Sequence, residues 1–226
     1  GIACLLLDKL HSIGKAVGVT SAVLVAAVAF LAYRVVTDGP VTILSEDLPG
    51  AGIVVLIIDL ALMAVFALIA WRARSLLVGS FVGIQLAVLL ILESALHSHA
   101  GAAILIDQLS VLMALITSVI GSIICIYAVK YMEHYRDHGR FFAAMLLFLG
   151  AMNGAVFSND LVWLFMFWEV TTLCSFLLIG HTRTDEAIRA ARWALLVNLF
   201  GGAALLVGTT FSHHFYGCLL YTSPSP

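Results

Sequence analysis

Charge is what this sequence has least of. Of its 226 residues, 11% are charged and 62% are hydrophobic, where a soluble domain carries roughly 25% charged residues. So few charges cannot coat a water-facing surface, whereas lipid accepts an apolar exterior. The net charge of −2 leaves no basic footprint, which excludes nucleic acid as a partner. The four cysteines, Cys4, Cys125, Cys174 and Cys218, stand alone, and none has the spacing of a zinc or iron–sulfur site. No cofactor, metal centre or redox-catalytic site is therefore expected on this chain. It also lacks a GxGxxG sequence, a Walker loop and a Ser–His–Asp arrangement, so no residue is assigned a catalytic role.

Long apolar runs are what the sequence has instead. A spanning helix needs about 20 mostly apolar residues, and windows at 17–36, 52–71, 76–96, 108–129, 141–158, 160–180 and 190–211 qualify. None shows the two-residue alternation of a membrane barrel, and helices satisfy their own backbone groups inside lipid. The expected fold class is all-α, a polytopic transmembrane bundle of about seven spanning helices. Basic residues test that count independently. With the start of the chain inside, Lys9, Lys15, Arg72, Arg74, Lys130, Arg136, Arg140, Arg183, Arg189 and Arg192 fall on the cytoplasmic side. Arg34 alone falls outside. This is the partition that the positive-inside rule demands.

Three sections are expected along the chain. Residues 1–103 supply N-terminal transmembrane helices, beginning with an interrupted apolar segment at 1–7. Residues 104–215 form a second section, and 216–226 (YGCLLYTSPSP) reads as a non-native tail resembling translated sequencing-adaptor sequence. The whole is expected to be a fragment. The connection at 158–160 is so short that its flanking helices must form a tight antiparallel pair. Asn159 or Asp160 can cap the second of them.

Ionisable groups inside hydrocarbon are the candidates for chemistry, because a charge there is costly and usually faces a polar interior. Glu169 lies near the middle of the 160–180 helix. At 100° per residue, Thr171, Thr172 and Ser175 share its half of the circumference, while Val170, Leu173 and Leu177 occupy the other. This is a polar stripe beside a carboxyl that can accept and release a proton, or can serve as an interhelical hydrogen-bond donor. Asp59 is the second acid at membrane depth, with nothing polar nearby on its own helix, so its partner must come from elsewhere. Relay and structural glue weigh equally for it. Gln85, Asn153 and Asn198 are mid-helix amides of the kind that usually glue helices together. No Lys or Arg sits at mid-membrane. Lys130 closes its helix at the inner end, as a relay cation or simply by snorkelling. His181 ends the Glu169 helix at the inner surface, where a group titrating near neutral pH suits proton entry or exit. His134 with His138, and His97 with His99, lack a third ligand for a metal.

From residue 104 onward the order of features resembles a known family. ILIDQLSVLM at 104–113 is similar to the acidic-residue-plus-helix opening of the antiporter-like large subunits of respiratory complex I (chain L, or subunit 5). YAVKYM at 127–132 and RFF at 140–142 resemble the loop and the helix start that come next in that family. SNDLVWLFMFWEVTTLCSFLLIG at 158–180 is the most specific match. The same scaffold occurs in Mrp-type cation/proton antiporters and energy-converting hydrogenases. TRTDEAIRAARWALLVNLFGG at 182–202 resembles the hydrogenase branch, and Leu199 and Gly202 stand where the chain L pattern has an arginine and an aspartate.

The resemblance implies that 104–215 opens an antiporter-like proton-translocation domain, with Glu169 as its mid-membrane proton carrier. It does not extend to the helices at 52–71 and 76–96. The implied function is that of an ion-translocating membrane subunit of a redox-driven complex, such as NADH-quinone oxidoreductase or an energy-converting hydrogenase. A redox-independent Mrp-type Na+/H+ antiporter subunit and a non-transporting hydrogenase anchor are the alternatives. The implied partners are other membrane and peripheral subunits of a respiratory or hydrogenase complex, the lipid bilayer, and protons or Na+. The resemblance also implies a lysine on the helix following 190–211. Recovery of the full gene tests this directly, and an apolar helix at that place would refute the implied proton pathway.

Overall fold

The computed structural model describes residues 2–44, 50–95, 102–135 and 137–216. Seven α-helices make up nearly all of them: α1 (Ile2–Asp38), α2 (Ala51–Ala73), α3 (Leu76–Ala95), α4 (Gln108–Tyr131), α5 (His138–Phe157), α6 (Leu161–Ile179) and α7 (Asp185–Tyr216). Six of them are long and apolar enough to cross a membrane among the described residues. The remaining one, α3, has 20 residues, about 30 Å at the helical rise, which matches the hydrocarbon thickness. Large apolar side chains such as Ile57, Leu68, Leu76, Ile123 and Phe200 face outward, as lipid permits and water would not. The residues before 17 continue directly into the first spanning helix, since α1 runs unbroken from Ile2 to Asp38.

The caps explain two helix starts. Asp107 accepts from the backbone N–H of Ser110 at 2.7 Å, while the Ser110 hydroxyl receives the Asp107 N–H at 2.8 Å. This reciprocal box satisfies donors that the first turn of α4 leaves free. Asp160, not Asn159, caps α6, accepting from the N–H groups of Val162 at 2.7 Å and Trp163 at 3.3 Å. Asn159 instead donates its backbone N–H to the carbonyl of Ala103 at 3.0 Å.

That contact belongs to a small element with no counterpart in the hydropathy pattern. β1 (Val41–Leu44) pairs antiparallel with β2 (Ala102–Ile106), Val41 opposite Ile106, with a register shift after Ile43. Ile104 also bridges to Ser158. The ladder, the start of α4 and the α5–α6 turn thus share the outer face. At the opposite face, Arg183 pairs with Asp137 at 3.1 Å, and the His181 ring meets Phe141 edge-on at 5.2 Å. The helix ends therefore gather into two layers.

Two packed groups lie between those layers. In one, α1, α4 and α5 enclose Val17, Cys125, Ala128, Met132 and Phe142 toward the inner end, and Val35, Ile106 and Val111 toward the outer end. In the other, α2, α3, α6 and α7 enclose Phe66, Leu89, Leu92, Phe165, Leu195, Leu199 and Leu206. The α5–α6 pair joins them. It closes tightly because Gly154 has no side chain, and a Cβ there would collide with the Phe167 ring.

Two outcomes test this architecture. Gly154→Val should destabilise the detergent-solubilised protein by about 1–3 kcal/mol, the usual cost of overpacking, and lower its thermal unfolding midpoint. Single cysteines at positions 44 and 137 should react with a membrane-impermeant maleimide from opposite sides; labelling from one side would overturn the two-layer arrangement.

Candidate functional site

Glu169 sits in the middle of α6 with 0% of its surface exposed. An ionised acid at a helix centre in the membrane costs about 2.5–3.5 kcal/mol, so this position needs polar company. It comes from α3. The Gln85 amide, also 0% exposed, donates from Nε2 to Glu169 Oε1 at 3.0 Å and to the carbonyl oxygen of Leu199 on α7 at 3.1 Å. One side chain thereby links three helices. A hydrogen bond of this kind contributes about 1 kcal/mol to a neutral partner and about 1.5–3 kcal/mol to a charged one.

The contact exists because position 202 is glycine. A Cβ built there would overlap both Glu169 Oε1 and Gln85 Nε2. α7 thus approaches the carboxyl with bare backbone, and the amide fills the space that a side chain would have taken. Asp59 comes from α2, 1% exposed and close enough for its carboxyl to repel that of Glu169 electrostatically. Glu169 Oε2 and Gln85 Oε1 are buried without a hydrogen-bond partner among the described residues.

The other sequence-derived candidates are arranged differently. Thr172 is buried beside Glu169, and Thr171 and Ser175 are half-buried. The Thr171 and Thr172 hydroxyls both donate to the Trp168 carbonyl of their own helix, at 2.7 and 3.1 Å. They line one face of α6 without bonding to the carboxyl. His181 stands just past the inner end of α6 against Phe141. Lys130 lies at the inner end of α4, in the other helix group, with 86% of its side chain exposed and Nζ 2.8 Å from Glu133. The structure therefore brings Glu169 and Asp59 together and leaves His181 and Lys130 at the inner surface.

Among the amides, Asn153 acts as glue, accepting from the Ser118 hydroxyl at 3.1 Å and joining α5 to α4. Gln85 does more than that, since one of its partners is the buried acid, a pairing the sequence does not show. The only signal of Gln85 and Gly202 was a polar amide at mid-membrane and a glycine one helix after the acid. Among the described residues no three His, Cys, Asp or Glu side chains could hold a metal. The His138 ring instead meets the Met132 carbonyl at 2.8 Å. His97, His99 and residues 217–226 lie outside the described residues, as does the side chain of His134.

Comparison with known proteins bears on the same elements. Residues 94–142 match the family described as NADH-ubiquinone oxidoreductase (complex I), chain 5 N-terminus. Residues 158–223, which hold Glu169 and Gly202 and run into the segment 216–226, match NADH:quinone oxidoreductase/Mrp antiporter, TM. The chain is 41% identical over 104 residues to the Na(+)/H(+) antiporter subunit A1 of Staphylococcus haemolyticus, covering 46% of this chain and 13% of that protein. It is 40% identical over the same length to the subunit A1 of Staphylococcus aureus strain JH9, again 13% of that protein. With its candidate spans and bacterial relatives, it is a multi-pass membrane protein of the prokaryotic type. Through residues 94–142 and 158–223, the chain belongs to the antiporter-like family of large membrane subunits shared by complex I and the Mrp antiporters.

Proposed function

We propose that this chain is part of an ion-translocating membrane subunit of an Mrp-type cation/proton antiporter, with Glu169 carrying the proton at mid-membrane. The observation behind this reading is the carboxyl itself. It is fully buried and tied by one oxygen to Gln85, while its other oxygen has no partner among the described residues and can take a proton. A group so placed moves between charged and neutral forms as its electrostatic surroundings change, which is what a relay requires. Asp59 is the neighbouring station, because a proton leaving one of two mutually repelling carboxyls is favoured to reach the other. Thr172 and Ser175, with Thr171 beside them, continue along α6 toward His181, whose imidazole hands the proton to the inner surface. Lys130, paired with Glu133, serves as an inner-surface charge.

The likeness to Na(+)/H(+) antiporter subunits supports the redox-independent form, with protons and Na+ as the ions and further membrane subunits as partners. A redox-driven complex is the second reading, favoured by the match of residues 94–142 to complex I chain 5; the resemblance of 182–202 to energy-converting hydrogenases points the same way. Transport that proceeds under a Na+ gradient alone separates the first from the second, which needs an electron donor.

In the full-length protein reconstituted with its complex, Glu169→Gln should lower proton translocation by about 100-fold or more, the scale of a lost proton-transfer group, while assembly survives. Wild-type rates in that variant would refute the relay. Asp59→Asn should slow translocation without abolishing it, and an unchanged rate would reduce Asp59 to a structural role.

A further inference from the structure

We infer that Gln85 is a positioning residue of the relay, selecting Oε2 of Glu169 as the oxygen that carries the mobile proton and so making α3 a working part of the pathway. This role rests on the proposed relay function of Glu169 and adds to it a residue outside the stretches matched to known families, which begin at residue 94.

Donors and acceptors can be counted. A glutamine amide has two N–H donors and one carbonyl acceptor. Both donors of Gln85 are spent, one on Glu169 Oε1 and one on the Leu199 carbonyl. Oε1 is therefore held as an acceptor whether or not Glu169 is protonated. A proton placed on Oε1 would weaken that bond, since the carbonyl oxygen of a neutral carboxyl accepts better than its hydroxyl oxygen. Oε2 has no partner among the described residues, and it is the oxygen on which a proton costs nothing already made.

The neutral form gains by the same count. A hydroxyl at Oε2 is a donor, and the pocket is short of donors. Gln85 Oε1 is an unpartnered buried acceptor among the described residues, and the Asp59 carboxyl lies within electrostatic reach. No other titratable group faces Glu169 among the described residues. α2 contributes Asp59, α3 contributes Gln85, α7 contributes a carbonyl and Gly202, and α5 presents Gly154 to Phe167 of α6. The second Gln85 bond, to Leu199, fixes the amide plane to the α7 backbone. Without it the amide could turn and present its own oxygen to Glu169, which would repel the ionised carboxylate.

Gly202 gives the proposal an independent handle. A methyl group there would overlap the two atoms that form the Gln85–Glu169 bond, so Gly202→Ala breaks the contact without altering any polar group. The experiment uses the full-length protein in its complex, reconstituted in vesicles. It records proton translocation against pH, and also the C=O stretch of protonated Glu169 by difference infrared spectroscopy. Gln85→Leu and Gly202→Ala should each displace the pH profile by about one unit, the size expected for a lost hydrogen bond to a charged group. Both should shift the C=O band, and the double variant should show little more than either alone, because both act on one contact. If either variant assembles with a wild-type pH profile and an unmoved band, Gln85 is packing only and the inference fails. If Gln85→Leu does not assemble, Gly202→Ala decides by the same two readouts, with Gly202→Ser as its replicate. Wild-type translocation in Glu169→Gln would instead remove the relay itself, an outcome distinct from the failure of Gln85.

Discussion

Inside hydrocarbon an acceptor without a donor has no water to turn to, and the packing of α2, α3, α6 and α7 is organised around one such acceptor, the Glu169 carboxyl. Its position near mid-membrane means that snorkelling cannot relieve it. Relief comes from Gln85, and the amide reaches the carboxyl only because α3 lies against α7 and α7 presents Gly202. The apolar layer of Phe165, Leu195 and Leu199 completes the seal. Helix packing and the polar site are thus one arrangement: moving α3 away would expose the carboxyl and also strip it of its donor.

This arrangement relates the two halves of the chain. The stretches that match known families begin at residue 94, yet two of the polar groups around Glu169, Asp59 and Gln85, belong to α2 and α3. Resemblance of sequence leaves those helices unexplained. Their role is physical: they enclose the buried acid of α6 and bring it a donor and a nearby carboxyl. The other group, α1, α4 and α5, carries the outer ladder and the inner-surface pairs that hold the helix ends in two layers.

Much of the framework was legible because it depends on local pattern. Apolar length survives translation into structure, since lipid imposes it on each helix separately. The cap of α6 was legible to within one residue, Asn159 or Asp160, because it needs only a short polar side chain before an apolar run. The β1–β2 ladder was not, because its strands are four and five residues long and two helices separate them in sequence. The Thr171 and Thr172 hydroxyls of α6 turn to their own backbone, a choice that periodicity does not encode.

The sequence by itself determined that the chain crosses the membrane as helices and that Glu169 and Asp59 are acids within apolar spans. Each of these depends on residue type and spacing along one segment, measured against the bilayer. Only the tertiary structure decided which groups meet. Gln85 is one mid-membrane amide among several until α3 is placed against α6 and α7, and Gly202 is an ordinary small residue until a carboxyl and an amide converge on it. Contacts between helices depend on rotation and distance across the bundle, which no single segment carries.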